Sequence, residues 1–220
     1  MKELTKFIKT KSTGETAETK KKSRLRENIE AIIVAIVLAL LIRTFVVQAF
    51  KIPSGSMQET LLIGDHILVN KFIYGIKIPF LQKTIIPILT PKREDIIVFR
   101  FPEEPGKDFI KRVIGASGDV VEVRDKQVYL NHQPVKNAYA VYTDPHVIPG
   151  TIQPRDNFGP ITVPPDSLFV MGDNRDHSYD SRFWGFVDLN AVKGKAFLIY
   201  WSWDKNRFGV RWSRLGNRIR

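Results

Sequence analysis

Apolar positions follow two patterns along the chain. Ala31–Ile42 (AIIVAIVLALLI) is an uninterrupted apolar run. Arg43-Thr44 follows, then Phe45-Val46-Val47-Gln48-Ala49-Phe50. Twelve residues are too few to span a bilayer, but about 20 suffice, and 31–50 reaches that length with one charge. The run has no polar face, which disfavours a buried soluble helix. It predicts a single N-terminal transmembrane helix over 29–49, with Arg43 snorkelling toward the far interface. Beyond residue 50 the apolar positions come in short runs rich in Val, Ile, Phe and Tyr, bounded by Gly, Pro, Asp or Asn. These predict strands at 67–74, 96–101, 109–116, 120–124, 127–131, 168–172 and 196–203. Asp125-Lys126 between two alternating runs predicts a hairpin. The Pro-containing stretches 76–93 and 134–165 read as loops or insertions. The predicted fold is mainly β behind one membrane helix.

Charge first suggests a different partner. With 34 Lys+Arg against 23 Asp+Glu the net charge is +11, a value that fits nucleic acid or an anionic membrane. Its distribution decides between them. Residues 1–30 carry net +4, 205–220 net +6, and 51–204 are neutral. A neutral body disfavours nucleic acid. The cluster Lys20–Arg26 precedes the apolar run, and only Lys51 follows it within twenty residues. The positive-inside rule then puts the polar segment 1–28 in the cytoplasm and the body, 50–220, on the far side. A cleaved signal peptide is the rival, since Val47-Gln48-Ala49 imitates a cleavage site, but the polar lead is long for one. The 205–220 tail is expected to rest on anionic headgroups.

The absence of cysteine excludes a thiol nucleophile and Cys-ligated metals. Walker A, GxGxxG, GxSxG and HExxH patterns are absent, and the four His are scattered. Two clusters could carry chemistry. Ile52-Pro53-Ser54-Gly55-Ser56-Met57 follows the apolar run, where Gly55 permits unusual backbone angles and Pro53 stiffens the approach. A Ser on such a turn is a candidate nucleophile with a neighbouring hydroxyl for an oxyanion, although a plain polar turn fits these residues too. The second cluster is GDNRDHSYDSR, 172–182, whose Asp, Asn and Arg can form a rigid network around a site. The base for a Ser is His177, in a Ser-His-Asp arrangement, or Lys111, which lies among apolar neighbours in Phe109–Ile114. A free Lys is neutral in only about one molecule in 2,500 at pH 7, so Lys111 would have to be desolvated.

The ordered segments IPSGSM with Thr60-Leu61, Gly64–Phe72, Asp95–Phe99, Ile110–Gly115 with Gly118-Asp119, and 172–185 resemble the type I (leader) signal peptidases, membrane-anchored Ser-Lys proteases. The resemblance runs from the apolar helix to about Trp203. It implies Ser56 as nucleophile and Lys111 as general base, with no role for His177. Ser54 would serve the oxyanion beside the Ser56 N–H, and Ser178 would orient the Lys111 amine. Asp173, Arg175, Asp180 and Arg182 would form the supporting network. Shallow pockets would use Phe50, Ile52, Pro53, Met57, Leu61, Val98, Phe109 and Ile110. Glu59, Glu94 and Ala116-Ser117 depart from the family pattern without touching a reacting group. The implied fold is an all-β catalytic core with a smaller inserted β subdomain, here about 123–164. The implied substrates are secretory preproteins cut after small-x-small sequences such as Ala-x-Ala. The implied location is a bacterial inner membrane, single-pass, with the catalytic domain extracytoplasmic. Neither metal nor cofactor is implied. An anchored binding protein without catalysis, and a related peptidase with other substrates, are the remaining alternatives.

Overall fold

The computed structural model describes residues 24–77 and 84–220. The basic lead at 1–23 lies outside the described residues. The chain divides between Ala39 and Leu40 into two units.

Helix α1 (Arg24–Leu41) is apolar from Ala31 onward. Ile32, Ile33 and Val34 are each more than half exposed. Three consecutive helical positions sweep about 200° of the circumference, so α1 shows apolar side chains all round. The helix does not continue through 49. Ile42–Val46 is more widely wound, and β1 (Val47–Lys51) begins where the expected span still had three residues to run. Val47 to Lys51 pair in register with Asn70 to His66, so sheet hydrogen bonding takes over from the helix. Arg24, Arg26, Glu27 and Glu30 crowd the first turns of α1. Among the described residues no helix is long and apolar enough to cross a membrane.

The remaining elements are mostly strands. After β1 come β2 (Asp65–Asn70), the short pair β3 (Ile76–Lys77) and β4 (Thr84–Ile86), β5 (Ile96–Arg100) and β6 (Asp108–Ala116). Then follow β7 (Val120–Arg124), β8 (Gln127–Leu130), β9 (Gln133–Pro134) and β10 (Phe158–Thr162). The chain ends with β11 (Ser167–Met171), a helical turn α2 (Ser181–Trp184), β12 (Val187–Asp188), β13 (Val192–Asp204) and β14 (Gly209–Val210). The main sheet is antiparallel in the order β1-β2-β13-β5-β6-β11-β12, with β14 beside β13. Strict alternation in β2 puts Ile67 and Val69 inside, and both are fully buried.

The inserted subdomain is a second sheet, β10-β7-β8-β9. It starts at Val120, earlier than the expected 123. Asp125 and Lys126 both have positive φ, 47° and 71°, the signature of a tight two-residue hairpin turn. Its inner face shares a core with β6 and β11 through Val121, Val128, Ile114 and Phe169, so this second sheet is packed firmly on the main one. Strand β10 lies inside the Pro-containing stretch read as loop.

The basic tail is built into the fold. Arg214 Nη2 donates to Asp65 Oδ2 at 2.6 Å and to the Thr60 carbonyl at 2.9 Å. Arg211 Nη1 donates to the Ile63 carbonyl and Ser202 Oγ. Ile219 packs on the core that holds Met57 and Leu61. Arg211 and Arg214 therefore brace the 60–65 segment, where the sequence had suggested contacts with headgroups. Carboxylate and carbonyl partners already surround these two guanidinia.

Candidate active site

Asp108–Arg112 of strand β6 pair with β5, placing Lys111 opposite Ile97. Pleating sends Lys111 and Arg112 to opposite faces of the sheet. The 52–65 loop is pinned by Ile52 N–H to the Asp65 carbonyl at 2.8 Å and Gly64 N–H to the Ile52 carbonyl at 3.0 Å. Met57 and Leu61, both fully buried, anchor its short turns. Gly55 stands between the two hydroxyls without a positive φ, so the unusual backbone expected there is absent.

Ser56 Oγ and Lys111 Nζ lie 2.7 Å apart across 55 residues of sequence. Both are buried; Lys111 retains 4% of its surface. Burial pushes the Lys111 ammonium down from 10.5 to about 8, although Asp180 and Asp173 favour its charge. At pH 7 such a group is neutral in about one molecule in ten. A neutral amine accepts the Ser56 hydroxyl proton along this contact. The dyad lines a cavity of about 470 Å³ together with Ser54, Gln58, Phe109, Asn174, His177 and Tyr179.

The 172–182 loop closes the back of the dyad. Asn174 N–H donates to the Ser56 carbonyl at 3.1 Å, and its Nδ2 donates to the Gly55 carbonyl at 3.2 Å. Gly172 packs so closely that a Cβ would collide with Ser178 Oγ and the Ser56 carbonyl. Only glycine fits there without displacing the Ser56 backbone. Ser178 Oγ is buried beside the Asp180 carboxylate and has no hydrogen bond of good geometry, to Lys111 or to any other described group. Burial alone would raise the Asp180 pKa; the Arg182 charge and hydrogen bonds hold it below the usual carboxylate range.

Of the four expected network residues, Asp180 and Arg182 pair with each other, whereas Asp173 and Arg175 take other partners. Arg182 grips Asp180 through Nε and Nη2, at 2.9 Å each. Asp173 pairs with Arg112, at 2.8 and 2.7 Å, and also accepts from Thr60 Oγ1 at 2.6 Å. Arg175 Nε donates to the Gly172 carbonyl at 3.1 Å. Asp176 meets Lys126 of the β7–β8 turn at 2.8 Å and the amides of Thr143 and Asp144, tying the loop to the insertion.

Of the expected pocket residues, Phe109 alone lines the cavity at Ser56. Ile52, Met57, Leu61 and Val98 belong to the core beneath it, closed from solvent. Phe50 and Ile110 pack against that core half-buried, and Pro53 is exposed. Apolar residues next to a nucleophile are needed first to seat its loop, which explains the correction. His177 lies at the cavity wall, exposed, while Ser56 bonds to Lys111. Arg112 and Thr60 were missed, while Asn174 was named in the loop cluster without its bonds to the Gly55 and Ser56 carbonyls. For Arg112, its place beside Lys111 on an alternating strand was the available signal.

The family model for signal peptidase, peptidase S26, matches residues 25–201. The chain belongs to this family. A signal peptidase I from Pseudomonas aeruginosa is 37% identical, over 81% of this chain and 74% of its own length. One from Leptolyngbya laminosa is 39% identical, over 88% and 87%. A crystal structure of a signal peptidase I from Enterococcus faecalis aligns at 31% identity and a TM-score of 0.39, covering 49% of this chain and 97% of that one. The chain is thus a serine endopeptidase of the class that removes signal peptides.

Proposed function

We propose that Ser56 is the nucleophile and that neutral Lys111 is the general base of a membrane-bound peptidase acting on secretory preproteins. The observation that carries this is the 2.7 Å contact between the Ser56 and Lys111 side chains, both themselves buried at the wall of a cavity. Ser56 Oγ attacks the scissile carbonyl while Lys111 takes its proton. The resulting ammonium protonates the leaving amine, and Lys111 then deprotonates the water that opens the acyl-enzyme. The Ser56 N–H and the Ser54 hydroxyl, exposed at the cavity wall, stabilise the oxyanion. Ser178 orients the Lys111 amine once substrate closes the site. The shared fixing of Gly55 and Ser56 by Asn174 holds the oxyanion donors in place.

The cleavage site is small-x-small. The extended substrate enters along the cavity wall formed by Phe109 and Gln58. The helix α1, whose exposed side chains from Ile32 onward are apolar, is held by the bilayer of a bacterial cell, with residues 1–28 on the cytoplasmic side and the body outside. A helix of this composition left in water would expose a contiguous apolar surface far beyond what soluble chains tolerate. The bilayer also raises the effective concentration of a membrane-held substrate.

Incubating the full chain in detergent with a model preprotein, and mapping the product N-terminus by mass spectrometry, tests this. Cleavage after an Ala-x-Ala sequence that is lost in Ser56→Ala supports the reading. Intact preprotein, or cleavage that persists in Ser56→Ala, contradicts it.

A further inference from the structure

Lys111 and Arg112 are neighbours in sequence but line different cavities. The cavity on the Arg112 side has a volume of about 400 Å³, within the range of small-molecule sites. Val113 and Ile114 of β6, Leu130 of β8 and Val135 form its apolar wall, and Arg175 of the 172–182 loop reaches it.

The charge inventory around this loop is unbalanced. Each of the other buried arginines faces a carboxylate: Arg112 faces Asp173, Arg182 faces Asp180, and Arg155 faces Asp156. Arg175, with 2% of its surface exposed, faces none within ion-pair distance among the described residues. Its Nε is satisfied by the Gly172 carbonyl, while Nη1 is buried without a hydrogen-bond partner. A buried cation left unpaired is costly, and a fixed planar guanidinium suits a carboxylate above other anions. One uncompensated charge calls for a monoanion. The exposed Glu94 at the same cavity would repel a dianion. Four aliphatic side chains call for an aliphatic body on the ligand.

We propose that this second cavity binds a small aliphatic carboxylate, its carboxylate on Arg175 and its chain against Val113, Ile114, Leu130 and Val135. The site is separate from the Ser56–Lys111 cavity, and the inference does not depend on the catalytic assignment. Bound ligand would complete the ion pairing of the loop that closes the dyad.

The probe is hexanoate, titrated into the full chain in detergent and followed by ligand-observed NMR and by the shift in melting temperature. Hexanol supplies the chain without the charge, and inorganic phosphate the charge without the chain. The expected result is saturable hexanoate binding that raises the melting temperature by mass action. Hexanol and phosphate should each bind at least about tenfold more weakly. Arg175→Gln should weaken hexanoate binding by at least about tenfold. Val135→Trp, which fills the cavity from its half-buried edge and leaves Arg175 in place, should remove it. If Arg175→Gln does not fold, Val135→Trp decides. No saturable hexanoate binding overturns the proposal. So does unchanged affinity in Val135→Trp or in folded Arg175→Gln, or phosphate or hexanol matching hexanoate.

Discussion

The two faces of β6 are built on opposite terms. On the Lys111 face, one short contact joins the amine to Ser56, and nearby polar atoms, Ser178 Oγ and Asn174 Oδ1, are buried without a well-formed hydrogen bond among the described residues. On the Arg112 face, the guanidinium donates twice to Asp173 and to the carbonyls of Glu94 and Arg220, while Tyr139 stacks over it at 3.9 Å. A saturated group has one arrangement and holds it. An under-satisfied group has capacity left for substrate and for moving a proton. Adjacent residues on one strand thus divide the work, with rigidity on one face and reactivity on the other.

This contrast is broken most severely at the dyad itself. Ser56→Ala and Lys111→Ala should each lower cleavage by at least about 10⁴-fold in a preprotein assay while the fold persists. On the opposite face the loss should be one of stability. Arg112→Met leaves the Asp173 carboxylate buried and unpaired, so urea denaturation should show a loss of about 3–5 kcal/mol. Retained stability there would mean that the saturated face is not what holds the site.

The contrast sharpens with smaller changes. Ser178→Ala removes a hydroxyl without a well-formed hydrogen bond, so it should leave urea stability nearly unchanged. Turnover should fall by about 10²–10³, the scale of one lost orienting or oxyanion group, and Ser54→Ala should show the same signature. Lys111→Met should do the reverse of Arg112→Met and stabilise the protein. The folded-state pKa of Lys111 lies near 8, below the unfolded 10.5, so the unfolded chain binds more protons between those values and native stability rises with pH there. Below pH 8 the native protein carries a burial penalty of about 3 kcal/mol. Lys111→Met should therefore gain up to about 3 kcal/mol near pH 6, and the gain should vanish above pH 10.5.

Local pattern made much of this legible in advance. Strands β6, β7 and β8 lie within a residue of their expected limits, because each is a short apolar run ended by a turn residue. The resemblance named Ser56 and Lys111 together, and the structure places their side chains 2.7 Å apart, with His177 at the wall of the same cavity. What escaped depends on distance in sequence. Asp173 was grouped with its own neighbours, yet its partner Arg112 lies 61 residues away. Strand β1 was hidden because an apolar run reads the same as helix or strand until a partner strand is known. Strand β10 was hidden by Gly159-Pro160, which reads as a breaker. The pocket residues were misplaced because hydrophobicity cannot distinguish a residue that seats a loop from one that faces a ligand. Met57 and Leu61 seat it, while polar Asn174, Gln58 and His177 line the cavity.

The central claim is that burial lowers the Lys111 pKa to about 8, so that a working fraction of the amine beside Ser56 is neutral near pH 7. Titrating the full chain with ¹³C-labelled lysine by NMR, with the Lys111 signal assigned from its loss in Lys111→Met, reads that property directly. The account predicts a midpoint about 8, coincident with the rise of kcat/KM on the acidic limb of the cleavage profile. A Lys111 midpoint at the ordinary lysine value of 10.5, with cleavage already maximal below pH 8, would contradict it.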